Sequence, residues 1–354
     1  MAERAQAFAD RLTEFSSRVF FRTGGRLAAI ERMVRGISVV RPDVCYVVDC
    51  ALSGVAAAGI YRRATATPFI LDTGDAVVEL GRVLGRGRTG VAATRALEGY
   101  ALRTAAAVVV RGSYHRELLS ARGVPATVVP DGVAVDQFAP VRPPIRDAGA
   151  PPTIGVVGSS VWVPTRQTCY GWELVELIRL LRGRLPLRGI LVGDGSGIEV
   201  LRRRCIDYGI NDCVEFAGRV PYFELPEWLR KFDVCLSTQT NDVIGKVRTT
   251  GKLPLYLAAG RFVLASRVGE AARVLPGDML VEFAGEHDPD YPARLAARIE
   301  SLTGQGTDFS HRPECVDMAR EHFDYDRLAP RVAEVIERVL SRAVRPRSAR
   351  CHSR

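Results

Sequence analysis

No run of about 18 uncharged apolar residues occurs in this chain, which excludes an ordinary membrane-spanning helix. C-x-x-C pairs are absent too. The eight cysteines, at 45, 50, 169, 205, 213, 235, 315 and 351, lack the spacing of a zinc site or a redox pair. Several sit in strand-like runs such as DVCYVVDC and DVCLS, where a buried free thiol is the ordinary reading and a reducing, cytoplasmic setting is the expectation. Aromatics make up only 7%, and no base-stacking signature accompanies them, so the net charge of +9 is not read as nucleic-acid binding. The G-x-S-x-G elbow, the H-E-x-x-H zinc motif and the Walker A lysine pattern are all missing, which removes support from hydrolase, metalloprotease and kinase chemistry. The N-terminus MAERAQAFADRLTEF lacks the unbroken apolar core of a secretory signal.

What is present is an ordinary globular composition, 47% hydrophobic and 25% charged, over 354 residues, enough for two domains of common size. Strand-length apolar runs alternate with longer helix-period segments, the pattern of βαβ units and parallel sheets. Strands are expected at 44–49, 68–71, 107–110 and 126–129, and again at 153–158, 189–193, 213–218, 233–238 and 262–266. Between the two series lies VVPDGVAVDQFAPVRPPIRDAGAPP, rich in Pro, Gly and Asp, which reads as a domain linker. The expectation is two doubly wound α/β domains facing across a cleft: 1–140, a linker at 141–152, 153–330, and a C-terminal helix with a basic tail at 331–354. The tail RAVRPRSARCHSR reads as a solvated end, with attraction to the inner, anionic face of a membrane as the alternative.

In such sheets ligands sit beyond the carboxyl ends of the strands, where amides and helix N-termini are free. The segment VRTTGKLPLYLAAG follows a strand and places Arg248, Thr250, Gly251 and Lys252 at a helix expected to begin near residue 250. Such residues can cradle a diphosphate, by point charge and by amide donation. The alternative is a helix capped by Thr249 or Thr250 with solvated cations. VVGSSVWVPTRQTCYG joins another strand to a helix, and presents Gly158, Ser159 and Arg166, the only cation of its loop. In LVGDGSGIEVL the third glycine is misplaced for a dinucleotide fingerprint, so Gly193, Gly195 and Gly197 are read as turn glycines. Asp72, Thr73, Gly74 and Asp75 follow the second strand of the first domain, either as a base or hydroxyl-holding group or as turn and cap residues. Glu98 and His115 read as lying on solvated helix faces.

Taken together these segments resemble the family-4 glycosyltransferases of the GT-B fold (glycosyl transferases group 1). VVPDGVAVDQFAP resembles the family's (I/V)-P-N-G-V-D-x-x-x-F-x-P linker, with Asp131 for the usual Asn. The block from LVGDGSGIEVL to LAAGRFVLAS resembles its second domain element by element. The resemblance implies two Rossmann-like domains, a nucleotide-sugar donor held mainly by the second, retention of anomeric configuration, and no metal or other cofactor. It implies that Lys252, Arg248 and Arg166 meet the charge of the departing diphosphate, with Gly158, Ser159, Thr250 and Gly251 as backbone contacts. It also places Arg219 and Val220 near the base and Asp75 near the reacting sugar. The acceptor class, whether saccharide, lipid or small molecule, stays open.

Three departures stand out. Val247 and Leu255 occupy the positions of the family's two glutamates. Tyr170-Gly171 replaces its Lys-Gly. About 40 residues, read as the helices AERAQAFADRLTEFSSRVF and GRLAAIERMVRGI, stand where the family has its opening βα units. A late start site, a compact variant or a partner subunit completing the first domain would each account for that front, and Phe20 and Phe21 are either a docking edge or core. The alternatives to a transferase are a catalytically degenerate GT-B binding or partner subunit and a nucleotide-sugar epimerase.

Overall fold

The computed structural model describes residues 2–139, 151–309 and 311–344. The expected linker 141–152 lies mostly outside the described residues, as does the basic tail from residue 345. The chain divides into two compact units, 1–132 with 325–354, and 133–324. The break thus falls after Gly132 rather than at 140, and the last helix belongs to the first unit instead of standing apart.

The first unit holds a parallel four-stranded sheet in the order β1-β2-β3-β4, with β1 Cys45–Val48, β2 Phe69–Thr73, β3 Ala107–Val110 and β4 Thr127–Val128. The β2 run is buried throughout, as expected for a strand covered on both faces. Two helices, Ala2–Arg11 and Arg26–Val40, precede the sheet. The first stops well short of the expected span. The Ser16-Ser17 pair and the β-branched and aromatic residues after it favour non-helical backbone, and 16–23 carry no helix. The C-terminal helix Tyr325–Val344 is strongly amphipathic and needs a partner for its apolar stripe. It finds one here: Tyr325, Leu328, Val332 and Ile336 pack with Phe8, Leu12, Ile70, Val109 and Val129. That burial is the physical reason a segment so late in the chain joins the first unit.

The second unit holds a parallel six-stranded sheet in the order β10-β9-β8-β5-β6-β7. Its strands are β5 Thr153–Val157, β6 Arg188–Val192, β7 Val214–Gly218, β8 Val234–Ser237, β9 Phe262–Ser266 and β10 Leu280–Val281. The order grows outward from β5 in both directions, so the chain reverses its winding between β5 and β8, which pair through Ile154↔Val234 and Gly155↔Cys235. Such a reversal leaves a crevice at the carboxyl ends of the two strands, where no crossover connection closes the space. Among the described residues no helix is long and apolar enough to cross a membrane.

Candidate functional site

The crevice of the second unit is built from the loops that leave β5, β6 and β8. The first two are tied together: Gly158 donates to the Val192 carbonyl (2.9 Å), Ser160 to Asp194 (2.8 Å) and Gly197 to Ser160 (2.7 Å). Gly193 and Gly195 adopt φ of 143° and 141°. A Cβ on Gly193 would stand 1.9 Å from the Gly158 oxygen, and one on Gly195 would stand 2.4 Å from the Ser160 oxygen. These glycines therefore let two loops fuse into one rigid floor. They are turn glycines, as the sequence reading has them.

On this floor Gly158 and the exposed Ser159 face the first turn of the short helix Lys252–Ala258. A Cβ on Gly158 would lie 2.7 Å from Lys252 Cε, and the Lys252 ammonium stands 3.1 Å from the centre of the Tyr170 ring. The ring is fixed by its hydroxyl, which donates to the Leu236 carbonyl of β8 (3.0 Å). Lys252 is half-buried, and burial is the main reason its pKa falls to about 7. Arg248 pushes in the same direction and Glu173 against it. Glu173 is fully buried, and burial raises its pKa against the Gly171 amide that donates to it at 3.0 Å. The Ser237 hydroxyl at the end of β8 is buried with no hydrogen-bond partner. An ammonium that burial leaves half-neutral, beside the open space at Gly251, is an arrangement that an anion would charge.

Arg166 is held to one side, with its guanidinium 2.8 Å from Asp242 and 3.3 Å from Glu286. Asp242 also caps the four-residue helix Val243–Lys246 by accepting from the Gly245 amide (2.9 Å). Burial works against its charge, but the Gly245 amide, Arg166 and Thr240 outweigh it and hold its pKa below the usual range. The loop after β10 is latched to the same wall, since the Asn241 amide donates to the Gly285 carbonyl (2.8 Å). Gly251 is exposed, with nothing within 4 Å of its missing side chain, so the space above that helix turn is open. Thr250 is half-buried there, and Arg248 anchors its loop through its carbonyl, which accepts from the Gln239 amide (3.2 Å). Arg219, exposed, and Val220, packed against the core, follow β7, two strands from the winding reversal.

Of the residues expected in the second unit, the structure brings Gly158, Ser159 and Lys252 into one place, with Arg248 close to Lys252. Val247 is wholly buried and Leu255 half-buried, so the two missing acids have become packing positions. Sequence reasoning passed over Asp242 and Glu173. Glu173 falls in the first turn of the helix Trp172–Leu181, a place where an acid ordinarily needs no further explanation.

The first unit carries its own charge cluster at the carboxyl ends of its strands. Asp72, fully buried, accepts from Arg4 Nε and from the Tyr46 hydroxyl, both at 2.8 Å. Arg111 reaches Asp49 (2.7 Å), Asp72 (3.4 Å) and Asp131 (3.5 Å). Asp131, which departs from the Asn of the resembled linker, is thus matched by a cation. Burial opposes the Asp72 charge, but Arg4 and Arg111 prevail and hold its pKa below the usual range. Asp75 is half-buried and senses His115, whose pKa burial lowers to about 4. His115 is buried with an unpartnered Nδ1, and Glu98 is half-buried with a raised pKa, so neither lies on the solvated face expected for it. Among the described residues no cluster has the ligands to hold a metal ion.

Residues 151–304, which span β5 to β10 and the helix after them, match the family model of glycosyl transferases group 1. This is a group 1 glycosyltransferase domain on a GT-B chain. Solved structures resemble nearly the whole chain at low identity. Sucrose-phosphate synthase from Thermosynechococcus elongatus superposes with a TM-score of 0.68, at 16% identity over 90% of this chain and 78% of that one. Anabaena HepE, solved with UDP-glucose, gives 0.66 at 14% over 87% and 82%. A glycosyltransferase from Rickettsia africae gives 0.62 at 14% over 91% and 84%. Among curated proteins, none matches this glycosyltransferase chain by sequence.

Proposed function

We propose that this glycosyltransferase moves a sugar from a nucleoside-diphosphate donor to an acceptor hydroxyl, with the diphosphate held in the crevice of the second unit. The observation that carries the reading is the Lys252 ammonium, seated against Gly158 and the Tyr170 ring at the winding reversal of the sheet. Bond cleavage at the anomeric carbon puts charge on the leaving diphosphate, and a cation beside it lowers that barrier. Lys252 takes this role, with Arg248 beside it and the amides of Ser159 and Gly251 as further donors. Arg166 enters by exchanging its carboxylate partners for a phosphate, and Arg219 and Val220 flank the base. Retention of configuration and independence of metal belong to the same proposal. They accord with a cationic site that needs no ion to offset the leaving charge. Asp75 is proposed to hold the reacting sugar or acceptor hydroxyl. HepE was solved with UDP-glucose, which makes UDP-glucose the first donor to try.

The test is release of nucleoside diphosphate by the purified chain from UDP-, GDP- and dTDP-sugars, with product stereochemistry read by NMR in the presence of a chelator. Turnover of one donor supports the reading and disposes of the binding-subunit alternative. Silence from every nucleotide sugar overturns it.

A further inference from the structure

The first unit contains a cavity of about 540 Å³. It is a pocket open to solvent, and its volume falls within the about 300–1,000 Å³ of small-molecule sites. Its walls are mainly apolar, with Phe8, Leu12, Phe15, Met33, Ile37 and Ile336 among them. One side is the non-helical segment 15–22, seated by the Phe20 ring on Gly36, where a Cβ would stand 2.6 Å from Phe20 Cε1. The lining runs to Asp49, Ala51 and Ser53, just past the carboxyl end of β1, the side of a parallel sheet where ligands are handled. There Asp49 has a left-handed backbone (φ 70°), remains 27% exposed, and is oriented by Arg111 at 2.7 Å.

We propose that this cavity binds the apolar tail of a single-chain, hydroxyl-bearing amphiphile, with its polar end at Asp49. Resting on the transferase reading above, this makes the acceptor an amphiphile of that class. A mainly apolar wall favours an apolar ligand, which leaves water when it binds. The cavity's volume is that of a small-molecule site. Two segments flanking the described residues, PVRPPIRDAGA and RPRSARCHSR, are too polar and basic to fill it. A linear alkyl chain meets both conditions. The Asp49 carboxylate, fixed by Arg111, can then accept a hydrogen bond from the hydroxyl.

The experiment titrates the full chain with n-alkyl β-glucosides from hexyl to dodecyl, below their micelle concentrations, by calorimetry. Affinity is expected to rise about fourfold per added methylene until the cavity is full. Ala57→Phe and Ala9→Trp, two changes at the lining, are expected to weaken dodecyl glucoside at least about tenfold while leaving nucleotide binding unchanged, with circular dichroism and thermal unfolding reporting that the first unit of each variant folds. A wild-type series flat with chain length, or equal affinity in both filled variants, overturns the proposal. If a nucleotide sugar is turned over while the series is flat, the cavity proposal fails and the transferase reading stands. If the series climbs while no nucleotide sugar is turned over, the donor reading fails and the cavity site stands.

Discussion

The affinity of the donor crevice for a nucleotide sugar should fall steeply with pH through neutrality, because Lys252 has to be charged to meet the diphosphate. Its pKa in the free protein is about 7. The diphosphate diester of a nucleotide sugar does not titrate near neutrality, and bound phosphate returns the lysine toward its ordinary value of about 10.4. Apparent affinity then follows the charged fraction of the free protein, about 0.9 at pH 6, 0.5 at pH 7 and 0.1 at pH 8. The expected loss is about tenfold from pH 6 to pH 8, or about 1.4 kcal/mol, and about a hundredfold by pH 9. The groups that perturb Lys252 are Glu173 from the helix Trp172–Leu181 and Arg248 from its own loop, while Tyr170 and Tyr256 stay protonated, their pKa values raised by burial. Calorimetry on wild type, Lys252→Met and Lys252→Arg separates the contributions. Met should bind weakly and flatly with pH, and Arg should bind flatly while keeping the charge. A wild-type profile that is flat, or a steep one that persists in the Met variant, refutes the reasoning.

Four other predictions follow from the same geometry. The free protein should gain stability as pH rises from about 7 toward 10.4, since the unfolded chain binds the proton that buried Lys252 sheds, and Lys252→Met should remove that contribution in denaturant titrations. Asp242→Ala should cost about 1–2 kcal/mol by losing the cap on Gly245 and should release Arg166 from its anchor, measured by thermal unfolding and donor affinity together. Arg4→Met should cost about 1.5–3 kcal/mol by removing a charged hydrogen bond from buried Asp72, which keeps Arg111 and the Tyr46 hydroxyl, read in urea unfolding; equal loss on Arg4→Lys would locate the effect in the fork geometry. Gly193→Ala should destabilise by at least about 1 kcal/mol and weaken donor binding, because its Cβ meets the Gly158 carbonyl at 1.9 Å.

The sheets were legible in the sequence because buried parallel strands are written as short β-branched runs, and β5, β6, β8 and β9 fall on the runs that predict them. The loops after β5, β6 and β8 were legible as loops for a related reason, since glycines and polar residues just past an apolar run mark a turn. What resisted reading depends on contacts between distant segments. Asp242 gains its role from Arg166, 76 residues away, and nothing local marks it as more than a cap. His115 sits on a short helix whose neighbouring residues are polar, and its burial comes from the tertiary fold. The final helix displays its amphipathic stripe openly, but only the fold reveals that the stripe faces Phe8 and Leu12 near the other end of the chain.

The central claim is that the crevice at the winding reversal holds the diphosphate of a nucleotide sugar. The most direct measurement is a crystal structure of the chain with a bound nucleoside diphosphate. The account predicts the terminal phosphate within hydrogen-bonding distance of Lys252 Nζ and the Ser159 amide, with Lys252 drawn off the Tyr170 ring. A nucleotide bound elsewhere, or phosphates that leave Lys252 on the ring, would contradict it.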